Sequence, residues 1–326
     1  MDIYFLPEYG KLCEKIEGGN SEIFEYRCDF GAVRNMYIKR PIPWLIDGVQ
    51  YYDIITPYGY GGPVVITAKT DKRQELCRGF DAAFGRYCRE NGIVSEFVRF
   101  HPLFRNADDF SETYHPICIR KTLGTNLRDY DDPVRSEFSK HCRKNIGQAL
   151  RAGVTYRITE APKDLRRFRE IYYMTMERHN AADFYYFGDE YFNGVLKYFK
   201  KSVLLVEAVY ESKTIAAELC FVSDGVIHSH LAGTLSEYFN LFPACILKYA
   251  AVLWGKEHGF RLVYYGGGLS NDLNDSLFFF KKKFSKNTEF EFHVGKRAWM
   301  KDVYAQLCQF RNIQEEGGFF PAYRAG

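Results

Sequence analysis

The sequence predicts an α/β protein with mixed sheets (α+β in detail), folded as two similar halves. Three observations carry that expectation. The chain has 326 residues, more than one hydrophobic core of about 250–300 residues usually serves. Its second half reads as helices, three antiparallel strands, helix, strand, helix, strand, and its first half gives a similar string. The helix stops also match: CRENG-IVSEFVRF at 88–100 lies beside GKEHG-FRLVYYGG at 255–267.

In the first half, strands are expected near 22–27, 32–39 and 50–56. A helix follows over about 71–91, then a strand over 93–100, a short helix from about 103 and a strand over 116–122. The joint between halves falls near 124–153. Asp132-Pro133 is a strong helix start, because Asp caps and Pro suits the first turn. The helix beyond it places Phe138, Cys142, Ile146, Ala149 and Leu150 on one stripe, and Gly153 stops it. The expected organisation is a domain over 1–131, a connecting helix over 132–160 and a second domain over 161–326, related by internal duplication.

The second half begins with helices near 162–180 and 189–201. Strands follow at Val203–Tyr210, Thr214–Val222 and Val226–Leu231, the last two joined by a tight Asp224-Gly225 turn. A helix over Pro243–His258 closes at Gly259. A buried strand, Arg261–Tyr265, leads into the loop GGGLSND. A short helix over about 275–285, the alternating strand TEFEFHV and a last helix from near Arg297 complete the chain.

Composition narrows the function. Hydrophobic residues make up 46% and charged residues 26%, as in globular proteins, and the net charge of +3 argues against a dedicated nucleic-acid coat. The nine cysteines are scattered from Cys13 to Cys308 without a CxxC pair, which fits a reduced, cytoplasmic protein better than disulfides or a zinc site. The N-terminus lacks the features of a signal peptide, and no run of about 20 apolar residues is present. FFFKKKF at 278–284 is a weak sign of peripheral membrane contact.

Four segments carry candidate chemistry. In HSHLAGT (228–234), His228 and His230 are two apart on a strand and face the same way. Such a pair can shuttle protons or hydrogen-bond a polar substrate. It lacks a third ligand, so no metal is expected, and ordinary core histidines are the competing reading. In GGGLSNDLNDSLFFFKKKF (266–284), the glycines Gly267 and Gly268, with Asn271, form a loop that a ligand can approach closely. Lys281 adjoins the apolar face set by Phe280 and Phe284, and can hold a phosphate or stabilise an oxyanion; a glycine loop beside a solvated lysine run is the plainer alternative. On the helix YYMTMERHNAADFYYF (172–187), Thr175 and Arg178 share a turn. Arg178 can grip an anion, and Tyr185 and Tyr186 can stack on a sugar or base. In SEFVRFHP (95–102), Arg99 and His101 share a face at the carboxyl end of a strand, where crevices form in α/β sheets.

The β-β-β-α-β-α-β order is that of the GNAT acyltransferase fold, in which two parallel strands splay and the acyl donor enters between them. Together with RKNIGQALRAGV (143–154), the Thr175–Arg178 helix, HLAGT, the GGG loop and SLFFFKKKF, the chain from about residue 95 resembles the Fem peptidyltransferases and the wider FemAB-like group. That resemblance implies two tandem GNAT-like domains and transfer of an acyl or aminoacyl group to an amine or hydroxyl of a sugar-linked or cell-envelope precursor. The donor would be acyl-CoA or an aminoacyl-tRNA, with no tightly bound cofactor. It places Lys281 at the reacting carbonyl or a nearby phosphate. It puts Arg178, Tyr185 or Tyr186, and the His228–His230 strand near the acceptor. His101 stands before Pro102 where peptidoglycan members tend to carry an acidic residue; as a general base it, or His230, would take the nucleophile's proton. A non-catalytic tandem-GNAT module binding a nucleotide-sugar or tRNA is the alternative.

Overall fold

The structure, a computed structural model, describes residues 1–270, 274–313 and 318–325. Contacts divide the chain into two units, one of residues 4–120 with 291–326, the other of 1–3 with 121–290.

The first unit opens with α1 (Pro7–Glu17), which the sequence reading left unassigned, then β1 (Asn20–Cys28), β2 (Gly31–Ile46), β3 (Val49–Ile55) and β4 (Val64–Ala68). Next come α2 (Arg73–Glu90), β5 (Ile93–Arg99) and the short helices α3 (Asn106–Asp109) and α4 (Ser111–Tyr114). β1, β2 and β3 pair antiparallel, β4 pairs with the start of β2, and β3 runs parallel to β5. α2 is amphipathic: Leu76, Phe80, Phe84 and Cys88, spaced by four, are fully buried. They pack on Val33, Tyr37, Ile54 and Val98.

β6 (Ile117–Asn126) carries the chain into the second unit. There follow α5 (Pro133–Glu137), α6 (Lys140–Arg151), β7 (Thr155–Glu160), α7 (Arg166–Arg178) and α8 (Asp189–Phe199). The single connecting helix expected over this joint is two helices. Asp132 caps the first by accepting from the Arg135 amide at 2.9 Å, and Ser139 caps the second by accepting from the Cys142 amide at 3.2 Å. Between them Phe138 is extended and fully buried against the Phe284 ring; a straight helix would forgo that contact. β8 (Val203–Tyr210), β9 (Lys213–Ser223), β10 (Val226–Thr234), α9 (Pro243–Glu257), β11 (Leu262–Gly266) and α10 (Ser276–Lys282) complete this unit.

Its sheet runs β6, β11, β10, β9, β8, β7. β7 is an exposed, polar edge strand, which is why its hydrophobic alternation is too weak to read. α9 covers one face, burying Ile246, Leu247, Ala250 and Ala251 against Leu204, Val206, Ala216 and Cys220. β10 and β11 are parallel and pair only over Val226–His228 and Leu262–Tyr264. Beyond that point the two strands part, which is the splay that the element order predicts.

The chain ends in β12 (Glu289–Ala298) and α11 (Lys301–Phe310). Val294–Ala298 pair antiparallel with β5, and α11 packs Tyr304 and Leu307 against Ile42 and Val94. The last segment therefore belongs with the first unit. This corrects the expected extents of 1–131 and 161–326: a strand late in the sequence closes the early unit, and sequence proximity cannot show that.

Candidate active site

The parting of β10 and β11 organises the second unit's chemistry. In the last paired register, His228 faces Tyr264. His230 stands two residues further along β10, and Gly267 follows the end of β11.

Lys281 enters on the Gly267 side. It lies on α10, and its Nζ donates to the Gly267 carbonyl at 2.6 Å. Asp275 fixes both halves of this arrangement. Its carboxylate accepts from the Phe278 amide at 2.8 Å, capping α10, and from the Ser270 amide at 2.7 Å, tying down the loop. Burial pushes the Asp275 carboxyl up, but the amides of Ser270, Phe278 and Leu269 outweigh it and hold the group below the usual carboxylate range. Gly268 is required here: a Cβ would sit 2.5 Å from the Asp275 carboxylate. Asn271 lies outside the described residues.

His230 enters on the other side. Its ring packs against Phe221, with centroids 4.6 Å apart, and its Nε2 hydrogen-bonds the Tyr191 hydroxyl. His228 pairs in register with Phe221, and although a β-bulge between Ser229 and Leu231 breaks the simple alternation, the His230 ring reaches that same Phe221. Their roles differ. His228 is 1% exposed, and its Nε2 meets the Asp2 carboxylate at 2.8 Å. The expectation that His228 touches substrate is corrected: it is a core histidine held by a buried acid. Burial, with His228 nearby, pushes the His230 pKa down to about 3. That makes His230 a neutral hydrogen-bonding group at neutral pH and a poor proton acceptor.

The next cluster gathers on Thr234 at the end of β10. Thr175 accepts from the Thr234 amide at 2.9 Å, and Arg178 donates to the Thr234 carbonyl at 2.9 Å. The guanidinium also lies 4.8 Å from the centre of the Phe239 ring. α7 reaches the strand this closely because residue 233 is glycine; a Cβ there would stand 2.6 Å from the Ile171 carbonyl oxygen. Tyr172 donates to the Tyr185 carbonyl at 2.8 Å, and Tyr186 stacks on Tyr173 with centroids 6.0 Å apart. Tyr185 is half-buried and Tyr186 exposed. A cleft of about 340 Å³ lies where α9 begins, lined by Gln148, Ala149, Ala152, Asn240, Leu241 and Phe242. That is the small end of the range for ligand pockets.

The remaining two expected residues sit in the first unit. His101 is 1% exposed among the rings of Tyr4, Phe5, Tyr60 and Phe104, and its Nδ1 accepts from the Leu103 amide at 3.2 Å. Arg99 pairs with Glu17 at 2.5 Å and also donates to the Thr56 carbonyl. These contacts tie β5 to α1 and β3, so Arg99 is engaged structurally.

Sequence reading missed Asp275, Tyr191, Thr234 and Gly233. Asp275 had a readable signal, an acid directly before an apolar helical run. Gly233 and Thr234 stood within the HLAGT motif, but only the packing of α7 reveals what they do.

Residues 136–282 match the family described as "Acetyltransferase (GNAT) domain". The fold is similar to that of the crystal structure of FemX, with a TM-score of 0.68 and 12% identity over 94% of each chain. It also resembles the C-terminal domain of a putative lysylphosphatidylglycerol synthetase from Agrobacterium fabrum (TM-score 0.57, 13% identity, 92% of this chain and 96% of that one). L-PGS from Bacillus licheniformis gives a TM-score of 0.55 at 12% identity, covering 91% and 94%. No curated protein matches the chain. None of its helices is long and apolar enough to cross a membrane, among the described residues.

Proposed function

We propose that this protein is an acyltransferase that moves an aminoacyl or acyl group onto an amine or hydroxyl of a sugar-linked, cell-envelope precursor. The observation that carries this reading is the seat of Lys281: a cation held against the Gly267 carbonyl where β10 and β11 part. A donor ester or thioester entering there would have its carbonyl oxygen beside an ammonium. The acceptor's nitrogen or oxygen attacks the carbonyl carbon, the bond to the donor's ribose oxygen or CoA sulfur breaks, and the nucleophile gives up its proton. Lys281 would stabilise the oxyanion that forms between those events, where preorganised charge contributes most. Arg178, with Tyr185 and Tyr186, would hold the acceptor, while Thr175 positions Arg178 through Thr234. His230 would orient a polar group as an acceptor or donor of hydrogen bonds. The nucleophile's proton would leave with the donor's ribose oxygen or CoA sulfur; His101, buried in the first unit, is not assigned that proton, and Gly267 and Gly268 would shape the donor's entry.

The fold shared with FemX and with the lysylphosphatidylglycerol synthetases favours aminoacyl-tRNA as donor. The GNAT match over 136–282 favours acyl-CoA. Cytoplasmic location and peripheral membrane contact through the 278–284 segment accompany this reading. The test is a mass-spectrometric screen of both donor classes against sugar-nucleotide and lipid-linked amines. A mass gain on an acceptor, lost in Lys281→Ala with acceptor binding kept, supports the reading. Acceptor binding without product from either donor class would establish the binding-module alternative.

A further inference from the structure

We propose that the first unit carries a binding site for a zinc-like divalent cation, formed by Cys118 at the start of β6 with Glu291 and His293 on β12. Their ligand atoms, one thiol sulfur, one carboxylate oxygen and one ring nitrogen, all lie within 4.8 Å of one another.

The strand geometry builds the cluster. Along β12, Phe292 points inward, 9% exposed, and packs edge-on against Tyr60 with centroids 5.3 Å apart. Alternation then sends Glu291 and His293 to the opposite face. There the His293 Nε2 and the Glu291 carboxylate are 3.7 Å apart. The backbone beneath is fixed, since the His293 carbonyl accepts from the Phe100 amide at 3.0 Å. Cys118 is exposed, and its thiol makes a long contact, 3.9 Å, to the Arg120 carbonyl. Both cysteine and glutamate reach solvent, so a metal ion has an entry path.

The donor set selects the ion. A thiolate with an imidazole and a carboxylate suits zinc, whereas magnesium and calcium prefer all-oxygen shells. Zinc bonds of about 2.3 Å to sulfur and about 2.0–2.2 Å to nitrogen and oxygen place neighbouring ligand atoms about 3.3–3.8 Å apart in a tetrahedron. From the present spread of up to 4.8 Å, the ligand atoms would have to draw together by about 1–1.5 Å. Three protein ligands leave a fourth position for water or for an anionic group. Binding would release the thiol proton to solvent and leave the imidazole neutral, so affinity rises with pH.

The experiment uses full-length protein stripped with a chelator and titrated with cobalt(II), whose spectrum reports its ligands. The expected result is one equivalent bound, with a thiolate-to-cobalt band in the near ultraviolet and visible bands of four-coordinate intensity. Cys118→Ser should abolish the near-ultraviolet band. His293→Ala and Glu291→Gln should weaken binding by about tenfold or more. Cys28→Ser, which alters the other exposed cysteine, should leave the spectrum unchanged. Cys28, Cys118 and Glu291 are exposed and His293 is half-buried; unchanged thermal unfolding of the apo variants shows that they fold. No saturable cobalt band, or a band that survives Cys118→Ser, overturns the site.

Discussion

The carboxylate of Asp2 lies 2.8 Å from the Nε2 of His228, with both side chains fully buried. The start of the chain is thus anchored at the register where β10 and β11 last pair. Removing one member leaves a buried polar group uncompensated, which typically costs about 3–5 kcal/mol when the pair is charged. Asp2→Ala and His228→Ala should each destabilise on that scale. The double variant should cost much less than their sum, read by urea denaturation as a double-mutant cycle. Simple additivity would mean the contact is energetically idle.

Gly233 predicts a packing effect. A methyl group there meets the Ile171 carbonyl and the Tyr172 Cα. Gly233→Ala should push α7 off β10 and destabilise by about 1–3 kcal/mol. Acceptor affinity should fall as well, because Arg178 and Thr175 lose their hold on Thr234. An unchanged midpoint of unfolding would show that the helix yields freely.

Asp275 predicts a split between stability and turnover. Asp275→Ala removes the α10 cap, worth about 1 kcal/mol, and releases the Ser270 amide. Lys281 stays in the chain but loses its fixed seat, so kcat should drop while acceptor affinity holds. Asp275→Asn can still accept from an amide and should recover part of the loss. Equal kcat in all three proteins would remove Asp275 as a positioning residue.

Glu96 predicts a pH dependence. Burial pushes its carboxyl up to about 7, against hydrogen bonds from Asn35, Tyr114 and Trp299 that favour the charge. The native state therefore holds a proton that the unfolded chain releases near its ordinary value of 4.5. Stability from this group is full below about 4.5 and is lost as pH rises to about 7, a change on the order of 3 kcal/mol. The difference in unfolding free energy between native protein and Glu96→Gln should shift by that amount over this window. Parallel profiles would rule it out.

The fold was legible where periodicity was strong. The α2 stripe of Leu76, Phe80, Phe84 and Cys88, the β8–β9–β10 run and the α9 helix all stand where the pattern put them, because each buries a continuous apolar face. β7 and α1 were missed: TYRITE is an edge strand with little to bury, and α1 begins at Pro7 without a side-chain cap. In the candidate site, Lys281 and the glycine loop were visible as a motif. That His228 and His230 are neighbours was visible too. Their different roles were not, since Asp2 is 226 residues away from His228 in sequence. Local pattern cannot encode a partner at that separation.

The exchange of terminal segments has a consequence for how the chain matures. The unit built on residues 4–120 is completed by β12 and α11, so its early strands must wait for residues 289–310 to be made. Emerging from the ribosome, β5 has no β12 beside it until about 190 more residues have been made, and its exposed edge invites misassembly in the interval. Truncations that stop before residue 291 should therefore yield a nascent chain in need of chaperone protection, even though every residue of its opening sheet but one strand is present.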